Sequence, residues 1–122
     1  MRESKLWFFH IISAVVILFL LGSHMGIMHA GAILQALGLN FSAEPTTVAN
    51  VFARSQTWLF GIVYIVLLGT ALFHGLYGLR SIIYELSLPK GLSSAIGKLL
   101  CVAGIALFLY GSYVAVQLAK GV

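Results

Sequence analysis

The sequence is short of charge. Only 8% of its 122 residues are charged, whereas 61% are hydrophobic. A soluble domain of this size could not hide so much apolar surface, so the composition predicts an integral membrane protein. The chain also has no room for a soluble domain. We therefore expect any catalysis on a water-soluble substrate to belong to a partner protein.

Cysteine and acidic residues are also scarce. The single cysteine, Cys101, cannot form an internal disulfide, and its place in an apolar run predicts a packing role. Three acidic residues stand against seven basic ones. In a membrane protein, an excess of basic residues is related to the orientation of the chain in the membrane and to contact with lipid headgroups. We therefore expect no nucleic-acid partner.

Three stretches contain no charged residue at all: residues 6–43, 55–79 and 99–119. Each supplies the about 20 apolar residues that a spanning helix needs. We predict a single all-α membrane anchor domain over residues 1–122, with three transmembrane helices at about 7–34, 56–84 and 94–118. The first apolar run is much longer than that of a signal peptide, so we expect it to be retained as a span.

The connections between spans carry turn signals. In the first, residues 35–55, Pro45 and the threonines after it can start a short helix, which Val51 and Phe52 would lay on the interface. In the second, residues 87–91, Pro89 marks a helix stop and restart.

Basic residues divide unequally between the two ends of the spans. One end has five: Arg2, Lys5, Arg80, Lys90 and Lys98. The other has two: Arg54 and Lys120. This division predicts a multi-pass protein with its N-terminus in the cytoplasm. Nothing at the start looks like an organelle transit peptide, so we expect a prokaryotic cytoplasmic membrane.

Histidines are costly in a bilayer and usually face a partner or a cavity. There are four: His10, His24, His29 and His74. From the span ends, His24 lies in the outer half and His74 in the cytoplasmic half, about 10 Å apart in depth. We therefore expect that they do not hold one haem together, and that each meets a histidine of another subunit. His10 is either solvated or functional, and His29 is expected at the interface.

The stretch around His74 organises the chain. On a helix, His74, Gly78, Ser81 and Glu85 share one face. That face suits a flat cofactor with a polar site at the helix end. The alternative is a small-residue packing face with a hydrogen-bonded histidine.

Residues 72–85 resemble the second helix of membrane anchor subunits of succinate:quinone oxidoreductases. The family pattern is a histidine, a glycine four later, an arginine and then an acidic residue, which here are His74, Gly78, Arg80 and Glu85. Residues 19–29, around His24, look like the first helix of the haem-bearing anchors. The resemblance covers about residues 7–86, and the chain looks more like a D-type than a C-type anchor.

The resemblance implies cofactors and partners. His74 matches an axial ligand of haem b, and His24 the ligand of a second, distal haem, each shared with a C-type anchor. Gly78 would let the macrocycle approach, and Arg80 would lie near a propionate. An iron–sulfur subunit and a flavoprotein subunit would oxidise succinate on the cytoplasmic side and pass electrons to a quinone. The chain alone would not be catalytic.

Quinone-site residues are expected at the end of the second helix. Ser81 and Tyr84 are candidate hydrogen-bond donors, and Glu85 is a candidate proton relay. Many D-type anchors have Asp-Tyr at this point, whereas this chain has Glu85-Leu86, with Tyr84 one residue early. One residue turns a side chain by about 100° on a helix, so Tyr84 does not simply replace the family tyrosine.

Two other functions are weighed against this one. The first is another haem b quinone-reactive subunit, such as a formate dehydrogenase cytochrome, although those usually have more helices and histidines. The second is a small cofactor-free transporter or assembly protein, which an acidic residue within the first span would favour and which this chain lacks. A haem b spectrum of the purified complex would exclude the second.

Overall fold

The computed structural model describes residues 2–39 and 47–121. Within these ranges the regular elements are four α-helices: α1 (Arg2–Ala36), α2 (Val48–Ser55), α3 (Trp58–Glu85) and α4 (Lys90–Ala119). Of these, α1, α3 and α4 are long and apolar enough to cross a membrane. The all-α, three-span fold predicted from the composition is confirmed.

The long helices extend beyond the predicted spans. α1 begins at Arg2 rather than near Trp7, and α4 begins at Lys90 rather than near Ser94. Hydropathy identifies the part of a helix that is apolar enough for the bilayer. α1 and α4 each begin about one turn before that part, with polar residues. The predicted short helix is α2, which begins at Val48, while Pro45 lies outside the described residues.

α3 is the central helix. Both α1 and α4 pack against α3, and they do not pack against each other. Among the large and small apolar side chains of the described part, Ala119 alone is buried, with 6% of its surface exposed, whereas Phe19 is 70% exposed. The apolar surface therefore faces lipid or other subunits rather than a core of its own.

Glycines bring α4 close to α3. Three of them recur every seven residues along α4: Gly97, Gly104 and Gly111. On antiparallel α3, side chains eight residues apart lie against them: Tyr84, Leu76 and Leu68. A methyl group at Gly104 would come within 2.6 Å of Leu76 Cδ1. These small residues therefore permit a close helix–helix contact, as is common in membranes.

The charged ends of three helices meet on one side of the molecule. Glu3 near the start of α1, Arg80 near the end of α3, and Lys90 at the start of α4 all border one cavity. At the opposite end, a methyl group at Gly121 would lie 4.0 Å from the side-chain nitrogen of Gln56, so the end of α4 is close to the start of α3. The chain thus has one strongly basic end, as the sequence predicted.

Candidate functional site

His74 lies in the contact between α1 and α3. Its ring stacks on the ring of His10, with centroids 4.2 Å apart and planes 26° from parallel. The Nε2–H of His10 donates to the carbonyl oxygen of His74 over 3.1 Å. The sequence placed His10 at a membrane edge, but the structure makes it the neighbour of His74.

Ser13, one turn along α1 from His10, completes this cluster. It is buried, with 5% of its surface exposed. Its Oγ lies 2.6 Å from the carbonyl oxygen of His10 and 3.2 Å from Nδ1 of His74. Nδ1 of His74 is also 3.2 Å from the carbonyl oxygen of His10. One ring nitrogen of His74 is thus held by two oxygens of α1.

The other ring nitrogen of His74, Nε2, has no hydrogen-bond partner among the residues that the structure describes. Histidines that bind metals commonly donate one ring N–H to a carbonyl or similar oxygen and bind the metal through the other nitrogen. Stacking covers the face of a ring and does not use its in-plane lone pair. The surroundings of His74 therefore fit an axial ligand of haem iron.

Gly78 lies against the ring of His10. A methyl group at Gly78 would lie 3.5 Å from Nε2 of His10, in ordinary van der Waals contact. A methyl group at Gly75 or at Gly22 would instead meet open space. Gly78, unlike Gly75 and Gly22, is thus part of the α1–α3 contact. This is the packing role that the sequence offered as the alternative to a cofactor face.

His24 lies far from His74. Its ring makes an edge contact with Tyr64, with centroids 5.9 Å apart. His24 is fourteen residues beyond His10 on α1, and Tyr64 ten residues before His74 on α3, which correspond to about 21 and 15 Å of rise. The separation of His24 and His74 along the helices is therefore larger than the about 10 Å estimated from the span ends. The two estimates differ because the helices continue past the predicted spans by unequal lengths.

His29 is an exposed histidine at the far end of α1. Its Nδ1–H donates to the carbonyl oxygen of Met25 in the same helix over 2.9 Å. This accords with the interfacial position expected for it.

A large cavity opens between the charged ends of α1, α3 and α4. Its volume is about 1060 Å³. Apolar side chains from α3 and α4 form the walls, and Arg80, Tyr84 and Lys98 are among the polar residues on its lining. The guanidinium of Arg80 lies 4.5 Å from the centre of the Tyr84 ring. The cavity combines an apolar interior with hydrogen-bond donors at the basic end.

The three candidate quinone-site residues of α3 and Arg80, the candidate propionate partner, divide into two pairs. Arg80 and Tyr84 border the cavity, whereas Ser81 and Glu85 are exposed and do not border it. The hydroxyl of Ser81 donates to the carbonyl oxygen of Tyr77, one turn back, over 2.9 Å. The face of α3 that begins with His74 and Gly78 therefore does not reach the cavity.

Sequence reasoning missed Ser13 and the α4 lining of the cavity. The three-residue spacing of His10 and Ser13 placed them on one helix face, but nothing local shows that this face meets His74. The seven-residue spacing of glycines in α4 was a readable sign of close packing.

The described residues contain no group of three His, Cys, Asp or Glu side chains that could hold a metal ion. A haem iron needs only an axial nitrogen from one chain, which His74 offers. The fold and this site define a membrane-embedded helical subunit with a ligand-type histidine.

Comparison with known families agrees with this description. The family model for the succinate dehydrogenase/fumarate reductase transmembrane subunit matches residues 2–111. The chain therefore belongs to that family, and the resemblance read from residues 72–85 is confirmed at this level. No curated protein and no solved structure gives a significant match.

Proposed function

We propose that this chain is the haem b-binding membrane anchor of a succinate dehydrogenase or fumarate reductase complex. It would hold the iron–sulfur and flavoprotein subunits at the membrane, beside a second, C-type anchor, and help electrons pass from succinate to quinone. Family membership supports the complex. The observation that carries the haem assignment is the environment of His74, with one ring nitrogen hydrogen-bonded and the other without a partner in the described part of the chain.

Haem b, when bound, supplies a one-electron carrier. Toward it, this chain offers Nε2 of His74, and a histidine of the second anchor would supply the other ligand. Arg80 and Lys98, at the basic end, are candidates to pair with propionates. His24 is proposed as the ligand of a second haem, supported by its separation from His74 and by a ring held by an edge contact to Tyr64.

The cavity at the basic end is proposed to take the quinone. Its apolar walls suit an isoprenoid-bearing ring, and Tyr84 can donate to a quinone carbonyl. Arg80 stabilises the negative charge that develops on reduction and holds the Tyr84 ring in place. Ser81 and Glu85 lie outside the cavity, so this part of the proposal is carried by Tyr84 and Arg80.

The basic end is proposed to face the cytoplasm of a prokaryotic cell. Five of the seven basic residues cluster there, which the positive-inside rule assigns to the cytoplasmic side. The soluble subunits would then dock on the side of the cavity, so that electrons reach the quinone over a short path.

The test of the haem assignment is the visible spectrum and haem content of the purified complex. His74→Ala should lose one low-spin haem b, because Nε2 of the neighbouring His10 is already used in a hydrogen bond to the carbonyl oxygen of residue 74. His29→Ala is the matched control, since His29 is exposed and bonded within its own helix. It should retain the full spectrum. A complete low-spin spectrum in His74→Ala would refute the assignment.

The same measurement tests the second haem. His24→Ala should lower the haem content of a two-haem complex by one and leave the His74 haem in place. A complex with one haem, unchanged by His24→Ala, would make His24 a packing partner of Tyr64 only.

A further inference from the structure

We propose that Ser13 is a positioning residue that keeps His74 in the tautomer with its proton on Nδ1. The inference rests on the proposed function, in which Nε2 of His74 is an iron ligand. A neutral imidazole has one N–H and one lone pair, so the position of the proton decides which nitrogen can bind a metal. Ser13, together with the carbonyl oxygen of His10, sets that position before any haem is bound.

The number of available protons decides which atom donates in each hydrogen bond. The carbonyl oxygen of His10 can only accept hydrogen bonds, and Ser13 Oγ lies 2.6 Å from it. The one hydrogen of the Ser13 hydroxyl is therefore used there. Toward His74, 3.2 Å away, Ser13 Oγ can then only accept. Nδ1 of His74 must supply the proton of that bond.

The second contact of Nδ1 gives the same answer. Nδ1 also lies 3.2 Å from the carbonyl oxygen of His10, and a carbonyl has no proton to give. Both oxygens near Nδ1 thus require an N–H at this atom, which leaves the lone pair on Nε2. Burial strengthens the requirement, because Ser13 is 5% exposed and water cannot readily replace either partner.

His10 has a separate task. Its ring lies parallel to that of His74 and donates from Nε2 to the His74 carbonyl oxygen, so it fixes the orientation of the His74 ring but exchanges no proton with it. The carbonyl of His10, rather than its imidazole, takes part in setting the tautomer. A substitution at Ser13 therefore weakens the preference for this tautomer without removing the stacked ring, because the carbonyl oxygen of His10 remains as one acceptor of the Nδ1 proton.

The consequence for a bound haem concerns both affinity and potential. Hydrogen bonds from Nδ1–H to Ser13 and His10 make Nε2 a better electron donor to iron. Outer-shell partners of this kind commonly change metal affinity by about 10- to 100-fold. Ser13→Ala leaves the His10 carbonyl as a remaining acceptor, so the low end, about 10-fold, is expected.

The experiment compares Ser13→Ala and Ser13→Thr in the whole complex. Ser13→Ala should lose haem to excess apomyoglobin about 10-fold faster than wild type and raise the haem midpoint potential. Ser13→Thr keeps the hydroxyl and should restore both values. In the haem-free complex with ¹⁵N-labelled histidine, His74 should be protonated at Nδ1, and Ser13→Ala should show a raised fraction protonated at Nε2.

The outcomes separate the two proposals. If His74→Ala loses its haem while Ser13→Ala matches wild type in tautomer, haem release and potential, the role of Ser13 is overturned and the haem assignment stands. If His74→Ala keeps its haem, both fail. If Ser13→Ala does not assemble, Ser13→Cys makes the same comparison, because cysteine replaces the hydroxyl with a thiol, which is a weaker acceptor, and leaves no cavity.

Discussion

Tyr84 has a hydroxyl group at the border of a cavity that is otherwise largely apolar. If it donates to a quinone carbonyl, Tyr84→Phe removes one neutral hydrogen bond, which is worth about 0.5–1.5 kcal/mol. The KM for quinone should then rise about 2- to 10-fold. Succinate oxidation with an artificial acceptor should stay unchanged, because it does not use the quinone.

Two variants control this prediction. Tyr110→Phe removes a hydroxyl from an exposed tyrosine of α4 that does not border the cavity. Glu85→Gln changes an exposed residue outside the cavity. Both should leave the KM for quinone as in wild type. An effect of Glu85→Gln equal to that of Tyr84→Phe would place the quinone at the helix end rather than in the cavity.

For single residues, the sequence predicted which residues to consider better than it predicted which of them are in contact. The motif around His74 marked the ligand-type histidine, and its spacing marked Gly78. Ser13 received no role, because its partner is 61 residues away and depends on how α1 turns toward α3. Ser81 and Tyr84 were grouped by position, but residues three apart on a helix still differ by about 60° in direction, enough to put one outside the cavity.

The contact between α3 and α4 depends on the absence of side chains. A methyl group at Gly104 would come within 2.6 Å of Leu76 Cδ1, so Gly104→Ala forces either the leucine or the helix to move. The clashing atom is the end of a leucine side chain, which can rotate, so the cost should lie near the low end of the about 1–3 kcal/mol typical of overpacking. We expect the complex carrying Gly104→Ala to unfold at a lower temperature than wild type.

The same substitution elsewhere on α4 supplies the control. Gly91→Ala adds a methyl group where no atom lies within 4 Å, and it should leave the unfolding temperature nearly unchanged. Adding Leu76→Ala to Gly104→Ala removes the clashing atoms and should recover part of the loss. If the changes in stability of the two single variants simply add in the double variant, the two residues do not meet across the helices.

The helices themselves were predictable because charge-free runs of sufficient length have few alternatives in a bilayer. Their ends were less so, since Lys90 and Arg2 belong to helical turns that hydropathy assigns to water. The pairing of α4 with α3 could not be predicted from either helix alone, because Gly104 fits only when the position of Leu76 is known.

For the whole molecule, the distribution of charge predicts orientation. Ser87, between α3 and α4, lies at the basic end, and Gln56 lies at the other. In a background of Cys101→Ser, a membrane-impermeant maleimide should label Ser87→Cys in inverted vesicles and Gln56→Cys in right-side-out vesicles.

The starting background is suitable because Cys101 is the single cysteine and is exposed. Labelling of both introduced cysteines after detergent lysis shows that each can react. The reverse pattern in intact vesicles would put the cavity on the outer side and would contradict docking of the soluble subunits at the basic end.

Composition was enough to predict the class of protein, because a chain of this length with 61% hydrophobic residues cannot bury its apolar surface in a soluble fold. The order of the helices in space was not predictable. It depends on the matching of faces, with Ser13 and His10 of α1 against one side of α3 and glycines of α4 against another. The many exposed apolar side chains contact lipid or other subunits rather than residues of this chain.

The central place of α3 has a consequence for synthesis. His10 and His74 are separated by 64 residues, which a ribosome adds in about 3–13 s at 5–20 residues per second. α1 therefore enters the bilayer seconds before the helix that it packs against exists. During that wait Ser13 already has an acceptor in its own helix, the carbonyl oxygen of His10, whereas the imidazole of His10 must stay in lipid or at its edge until α3 emerges.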